Sequence, residues 1–181
     1  AGLNRHSTSG DLHDDPQVAA LIEVLRSGNT AQTISAAARL SVFRDPAAEP
    51  ALTERLRDRS REVRVAACMA LAACGSRESI EPLLAELTST EPLVAQAAAI
   101  AIENLTGHVE PFDAFSSKSE REQQAVRWRK WFAETNWVEI EAELVGRLQD
   151  SDRDIVRRAA VALGHTGGEA AGDALHKYVL A

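Results

Sequence analysis

The sequence contains an internal repeat with a period of 31 residues, and this repeat restricts the possible folds more than any other pattern in the chain. Sliding the sequence against itself by that distance pairs apolar residues: Leu25 with Leu56 and Leu87, Ala36 with Ala67 and Ala98, Leu40 with Leu71 and Ile102. A period of this size corresponds to one helical hairpin, and chains built from such units stack them into an array. The repeat therefore predicts a solenoid rather than a plain helical bundle, which needs no internal period.

Each unit has the pattern of two helices joined by a short polar turn. The second helix of one unit carries apolar residues at helical spacing, namely Val63, Ala66, Ala67, Ala70, Leu71 and Cys74. Ser60 and Thr90 are expected to be N-caps, and Gly75 is expected to end a helix in the left-handed conformation. The chain has 32 Ala and 18 Leu against eight aromatic residues, which excludes an all-β fold. We predict an all-α chain with about nine or ten helices.

The repeat also suggests how the chain is organised. Residues 1–15 are polar and turn-forming without an apolar period, and we expect a flexible arm there. Residues 16–181 are predicted to form a single solenoid domain of about four to five helical hairpins. Residues 107–137 take the place of one repeat without matching it, and they hold six of the eight aromatic residues. A helix from about Glu120 to Glu134 is expected in this insert, with Trp128 and Trp131 docked on the array.

Charge argues against a general nucleic-acid binder, because the formal net charge is −7. The insert is the one segment with a positive local balance, and its basic side chains alternate with Trp128 and Trp131. Proteins that bind single strands also interleave charge with aromatic rings, so this function stays open as an alternative. The spacing of the tryptophans favours packing over stacking on bases, and no nucleic-acid partner is expected.

A search for catalytic motifs finds no phosphate-binding loop, dinucleotide-binding turn, nucleophile elbow or zinc-binding pair. Cys68 and Cys74 lie six positions apart in a helical pattern, about 9 Å between Cα atoms, which is too far for a disulfide. We expect two buried thiols, no cofactor, no metal and no enzymatic activity. Free thiols favour a reducing compartment such as the cytoplasm, with export as an open alternative. No apolar run is long enough to span a bilayer, so no membrane insertion is expected.

Two segments resemble a known family. The stretch from Leu56 to Ala67, LRDRSREVRVAA, is similar to the second half of a HEAT repeat of the short bacterial kind found in phycobilin lyases. The stretch from Val156 to Gly164, VRRAAVALG, resembles a second copy. The resemblance covers roughly residues 16–107 and 138–181. It implies an α-α superhelix, and it implies that the second helices line the concave face.

The side of the second helices opposite the buried stripe is apolar, which is typical of a groove for a peptide or protein partner. The candidate partner-binding residues are Ile34, Val65, Met69 and Ile100 in the groove, with Arg61, Gln96, Glu103 and Arg158 at its polar edge. Burial between neighbouring repeats would need the same small and apolar side chains, so both interpretations stay open. We predict a non-catalytic interaction scaffold. The alternative is a lyase- or isomerase-like accessory subunit of the phycobilin-lyase type, or nucleic-acid binding through the insert.

Overall fold

The computed structural model describes residues 15–166 and 168–180, which form ten α-helices and two 3₁₀ helices. The first six α-helices are α1 Pro16–Ser27, α2 Thr30–Phe43, α3 Glu49–Arg55, α4 Arg61–Cys74, α5 Ile80–Glu86 and α6 Pro92–Thr106. The remaining four are α7 Lys118–Glu134, α8 Trp137–Arg147, α9 Arg153–Thr166 and α10 Glu169–Leu180. The 3₁₀ helices, Pro46–Ala48 and Arg77–Ser79, lead into α3 and α5.

The helices stack as a solenoid of hairpins. Helices α1 and α2 form one hairpin, as do α3 with α4, α5 with α6, and α8 with α9. The second helices lie side by side in the order α2, α4, α6, α9, while α7 contacts α5 and α10 packs on α8 and α9. The all-α superhelix expected from the repeat is therefore confirmed. None of the described helices is long and apolar enough to cross a membrane.

Small side chains allow the second helices to approach one another closely. Ala36, Ala67 and Ala98, which the repeat aligns, are at most 1% exposed. Polar bonds also join successive hairpins: Glu49 Oε1 accepts from Ser76 N at 2.8 Å and from the hydroxyl of Ser79. A half-buried carboxylate held by several donors helps to fix the relative position of two units, because each lost bond would leave a polar group with fewer partners.

The N-cap prediction is confirmed at Ser60 and wrong at Thr90. The Ser60 hydroxyl accepts from the backbone N–H of Val63, 3.3 Å away. Helix α6 instead begins at Pro92, with Glu91 as its N-cap in extended conformation. Proline favours the first helical position and disfavours a helical residue before it, which moves the start one residue beyond the expected place.

Gly75 ends α4 as expected but is not left-handed, because its φ is −76°. Its role is close approach: a Cβ there would lie 2.6 Å from the carbonyl oxygen of Leu71. Among the glycines that the structure describes, the left-handed one is Gly107, which ends α6 with a φ of 66°. The sequence shows that a glycine is needed at a helix end, but not which steric reason applies.

The insert contains the expected helix, which begins slightly earlier than predicted. Ser117 caps α7 in a capping box with Glu120, and Trp128 is completely buried against the core. The described residues form two hydrophobic clusters, one from α1 to α7 and one from α8 to α10, and Trp131 and Trp137 pack against both. The aromatic residues of the insert thus join the two clusters.

The arm expected over residues 1–15 lies outside the described residues except for Asp15. That residue is the N-cap of α1, and its side chain accepts from Gln17 N at 2.8 Å. The single domain expected over residues 16–181 stays a prediction.

Candidate functional site

The expected groove residues lie along the row of second helices. Arg61, Val65 and Met69 are spaced by four residues on α4, so they share one face of that helix. Met69 is 45% exposed and Val65 is half-buried. Ile34 on α2 and Ile100 on α6 are also half-buried. An exposed thioether and partly exposed branched side chains therefore occur on three neighbouring helices.

Much of the remaining outward face is closed by the neighbouring helices. The buried residues there are Ala37 on α2, Cys68 and Ala72 on α4, and Ala99 on α6. These small residues face the contacts between repeats, where close approach leaves no room for solvent. The sequence left two interpretations open, a binding groove or burial between neighbouring repeats, and these residues are buried. The row of Ile34, Val65, Met69 and Ile100 keeps part of its surface free.

The polar edge consists of side chains from α4, α6 and α9. Arg61 is exposed and pairs with Glu62, Nε to Oε1 at 2.9 Å, and with Glu91 at 3.7 Å. The hydrogen bond from Arg61 contributes most to holding the pKa of the Glu62 carboxyl at about 2. On α6, burial raises the pKa of Glu103, and the positive charge of Arg158 opposes that shift. Both Arg61 and Arg158 keep exposed guanidinium groups on this side.

The structure adds a pocket at the carboxyl end of α4 that was not expected from the sequence. Ala73 continues the stripe of Val65 and Met69 by one more turn and lines this pocket, whose volume is about 520 Å³. Its opposite wall is α9, through Ala160, Val161 and Gly164. The groove along α4 therefore ends in an open recess between two hairpins that are distant in sequence.

Three ionisable side chains of the pocket can carry positive charge: Arg44, Arg157 and His165. Arg44 follows α2 in left-handed conformation, with a φ of 54°. His165 Nδ1 lies 3.0 Å from the carbonyl oxygen of Gly75, which holds the end of α9 against the end of α4. Only Arg157 lies in a segment that the repeat pattern singles out. Arg44 and His165 reach the site because α9 packs back towards α4, which no local signal predicts.

Both thiols are buried, as predicted. Cys68 has no exposed surface and Cys74 is 5% exposed. Burial raises the pKa of each thiol to about 12, so neither is ionised near neutral pH. Within residues 15–166 and 168–180 no group of three or more His, Cys, Asp or Glu side chains is placed to hold a metal ion.

The insert tryptophans belong to α7 rather than to the second helices that carry the groove, and Trp131 lines a surface pocket together with Arg158. Trp128 lies on the buried side of α7, and Trp131 is half-buried against the ring of His108. Two basic side chains of α7 are engaged within the chain: Arg127 pairs with Glu110 at 2.7 Å, and Arg129 donates to the carbonyl of Leu84 at 3.2 Å. The aromatic rings are thus used for packing rather than presented as an exposed stacking platform.

The fold and the groove define an all-α solenoid built from helical hairpins. A family profile described as HEAT repeats matches residues 18–111, just over half of the 181-residue chain. The chain therefore belongs to the HEAT-repeat family, and the resemblance seen in its sequence is confirmed.

Comparison with known proteins adds a structural likeness. No curated protein matches the chain. Among solved structures 22 chains match. One is a designed armadillo repeat protein in complex with the peptide (KR)4, with 18% identity and a TM-score of 0.42 over 90% of this chain and 70% of that one.

Proposed function

We propose that this protein is a non-catalytic scaffold that binds a peptide, or a segment of a partner protein, along its second helices. The binding groove consists of Ile34, Val65, Met69 and Ile100, with Arg61, Gln96, Glu103 and Arg158 at its polar edge. One observation carries the proposal: the stripe of Val65, Met69 and Ala73 stays open and leads into a recess, while the residues beside it are buried.

The side chains of this groove suit apolar anchors on the partner. Branched and thioether groups at four-residue spacing can receive side chains from one face of a helix, or alternate side chains of an extended strand. The Met69 side chain is flexible and polarisable, so it adapts to ligands of different shape. Exposed arginines at the rim orient the approaching partner and raise its association rate, and they contribute less to affinity.

The described residues support binding over the lyase alternative. A tetrapyrrole held covalently on a cysteine of this chain would need an accessible thiolate, whereas burial raises the pKa of Cys68 and Cys74 to about 12. The same buried, unpaired thiols support the expectation of a reducing compartment.

A random peptide library displayed on phage tests the proposal. We expect wild-type protein to enrich a defined set of sequences, and the Val65→Glu, Met69→Glu double variant to lose them. The matched control is Val126→Glu with Val138→Glu, which adds the same charges at exposed apolar positions on α7 and α8 and should leave enrichment unchanged.

Folding of each variant is checked by circular dichroism and thermal unfolding. Because Val65 is half-buried, Met69→Glu alone at a 45% exposed position serves as a second variant. Enrichment that survives in a folded Met69→Glu protein and in the double variant would show that the groove is not the binding site.

A further inference from the structure

The recess at the end of α4 differs in charge from the rest of the molecule. The chain carries 27 acidic and 20 basic residues. The described residues that line this recess nevertheless include Arg44, Arg157 and His165 and no carboxylate. By contrast, the neighbouring surface pocket around His108 mixes Glu143 and Asp150 with its arginines. A recess lined by two arginines and a histidine, and by no carboxylate, favours an anionic group as its occupant.

Arg44 and Arg157 are available for such a group. The guanidinium of Arg44 forms no hydrogen bond or ion pair with any of the residues that the structure describes. Arg157 has one ionic partner, Asp154 at 3.4 Å, and both side chains are more than 70% exposed. An exposed pair of this kind contributes little, so an incoming carboxylate or phosphate can replace it at small cost.

His165 supplies a third polar atom. A carbonyl oxygen only accepts, so the bond to Gly75 requires the proton on Nδ1 and leaves Nε2 for another partner. Glu49, a carboxylate whose charge acts on this imidazole, is held by Ser76 and Ser79. Glu49 keeps its negative charge, and its charge and that of Asp45 also act on the thiol of Cys74 in the recess wall, but neither carboxylate lines the recess itself.

We infer that this recess binds an acidic group of the peptide that occupies the groove, with Arg44 and Arg157 as its principal contacts. The inference rests on the proposed function, which it deepens by naming the partner as an acidic peptide. Ala73 belongs both to the recess and to the stripe of Val65 and Met69. A peptide with apolar anchors on that stripe therefore brings its neighbouring residues to the two arginines.

Charge reversal on the same phage library tests this inference. Wild-type protein should enrich sequences with more Asp and Glu than the starting library. The Arg44→Glu, Arg157→Glu double variant should lose that excess or enrich Lys and Arg in its place. For a synthetic peptide of the enriched sequence, the double variant should bind at least about tenfold more weakly by fluorescence polarisation.

The control is Arg26→Glu with Arg57→Glu, which makes the same change in net charge at exposed positions on the first-helix side. This control separates recognition by the recess from the general effect of a more acidic protein. The control variant should still enrich peptides that are rich in Asp and Glu. All four positions are exposed, so the variants are expected to fold.

The outcomes separate this inference from the proposed function. Enrichment without an acidic excess, or an acidic excess that persists in the Arg44→Glu, Arg157→Glu variant, overturns the inference. If those sequences still require Val65 and Met69, the scaffold proposal stands. No enrichment on wild-type protein overturns both.

The chemical source of the anion is resolved with three synthetic versions of the enriched peptide. They carry Glu, phosphoserine or Gln at the acidic position, and each is measured with a free and with an amidated C-terminus. If the Gln peptide binds more weakly than the Glu peptide, the bound anion is a side-chain carboxylate. If the phosphoserine peptide binds more tightly, the anion is a phosphate. If amidation of the C-terminus weakens binding, the anion is the terminal carboxylate. Binding that is the same for all versions contradicts the inference.

Discussion

The imidazole of His108 lies flat against the indole of Trp131, with ring centroids 3.8 Å apart and planes inclined by 5°. Trp128 meets the same imidazole edge-on at 5.3 Å. This cluster ties the segment after α6 to α7, and Trp131 also packs against both hydrophobic clusters. The insert is thus held to the array by three rings in contact, one pair stacked and the others edge-on, and its loss would expose apolar surface in both hydrophobic clusters.

The Trp128→Ala substitution should lower the free energy of unfolding about as much as the loss of any single buried aromatic side chain does. Trp128 is completely buried, and truncation of such a residue to Ala typically costs about 3–5 kcal/mol. The Trp131→Ala variant should lose less, because Trp131 is half-buried. Urea-induced unfolding measures both, with Val126→Ala at a 58% exposed site of the same helix as control. Unchanged stability in both tryptophan variants would contradict the packing described for α7.

Acidification should destabilise the protein through His108. Its pKa is lowered from 6.5, mainly by burial, with Arg147 acting in the same direction and Glu110 and Glu143 opposing. Below about pH 6.5 the unfolded chain binds the proton more readily, so stability is lost as the pH falls towards the lower folded pKa.

Melting curves at a series of pH values measure this effect. The His108→Phe variant keeps an aromatic ring and should show a shallower decline of melting temperature below pH 6.5. The melting temperature of the variant should still decline somewhat below pH 6.5, because burial also lowers the pKa of His165. An identical pH dependence in wild type and variant would exclude His108 as a source.

Two glycines should respond oppositely to alanine. At Gly107 a Cβ would lie 2.5 Å from Leu144 Cδ2, and the φ of 66° disfavours side chains. Gly107→Ala should therefore destabilise by about 1–2 kcal/mol or more. Gly146 lies within α8 with nothing within 4 Å of the added atom, so Gly146→Ala should stabilise by about 0.5–1 kcal/mol. If chemical denaturation gave the same change in stability for Gly107→Ala and Gly146→Ala, the backbone conformation and surroundings described for these two glycines would be contradicted.

The thiols should react only when the protein opens. Burial raises the pKa of Cys68 and Cys74 to about 12, so a thiol reagent such as Ellman's should modify native protein very slowly at pH 8. In denaturant both thiols should react at once. Rapid modification of native protein would show that one of them is exposed and ionised, which would reopen the lyase alternative.

The repeated elements were predictable because their signals are local. Apolar spacing and short polar turns identify α1 to α6, and Ser117 with Glu120 marks the start of α7. The N-cap at Thr90 was wrong because Pro92 decides where α6 begins. Gly75 was wrong in conformation because the contact that requires glycine there involves the carbonyl of Leu71 rather than a positive φ.

The groove was predictable in part. Spacing along each second helix identified Ile34, Val65, Met69 and Ile100, whose side chains keep some exposed surface. It could not show that Cys68 and its small neighbours are buried, because burial depends on how closely the next hairpin approaches.

The repeating unit follows from the sequence alone, since a chain with a 31-residue period and small residues at matched positions buries its apolar stripes by stacking helical hairpins. The position of the basic recess, in contrast, depends on how the hairpins pack in three dimensions. Arg44 and His165 lie 121 positions apart and line one recess because the α9 hairpin packs back against the end of α4. Local propensity acts over a few residues, whereas that meeting depends on the summed curvature of every hairpin between them.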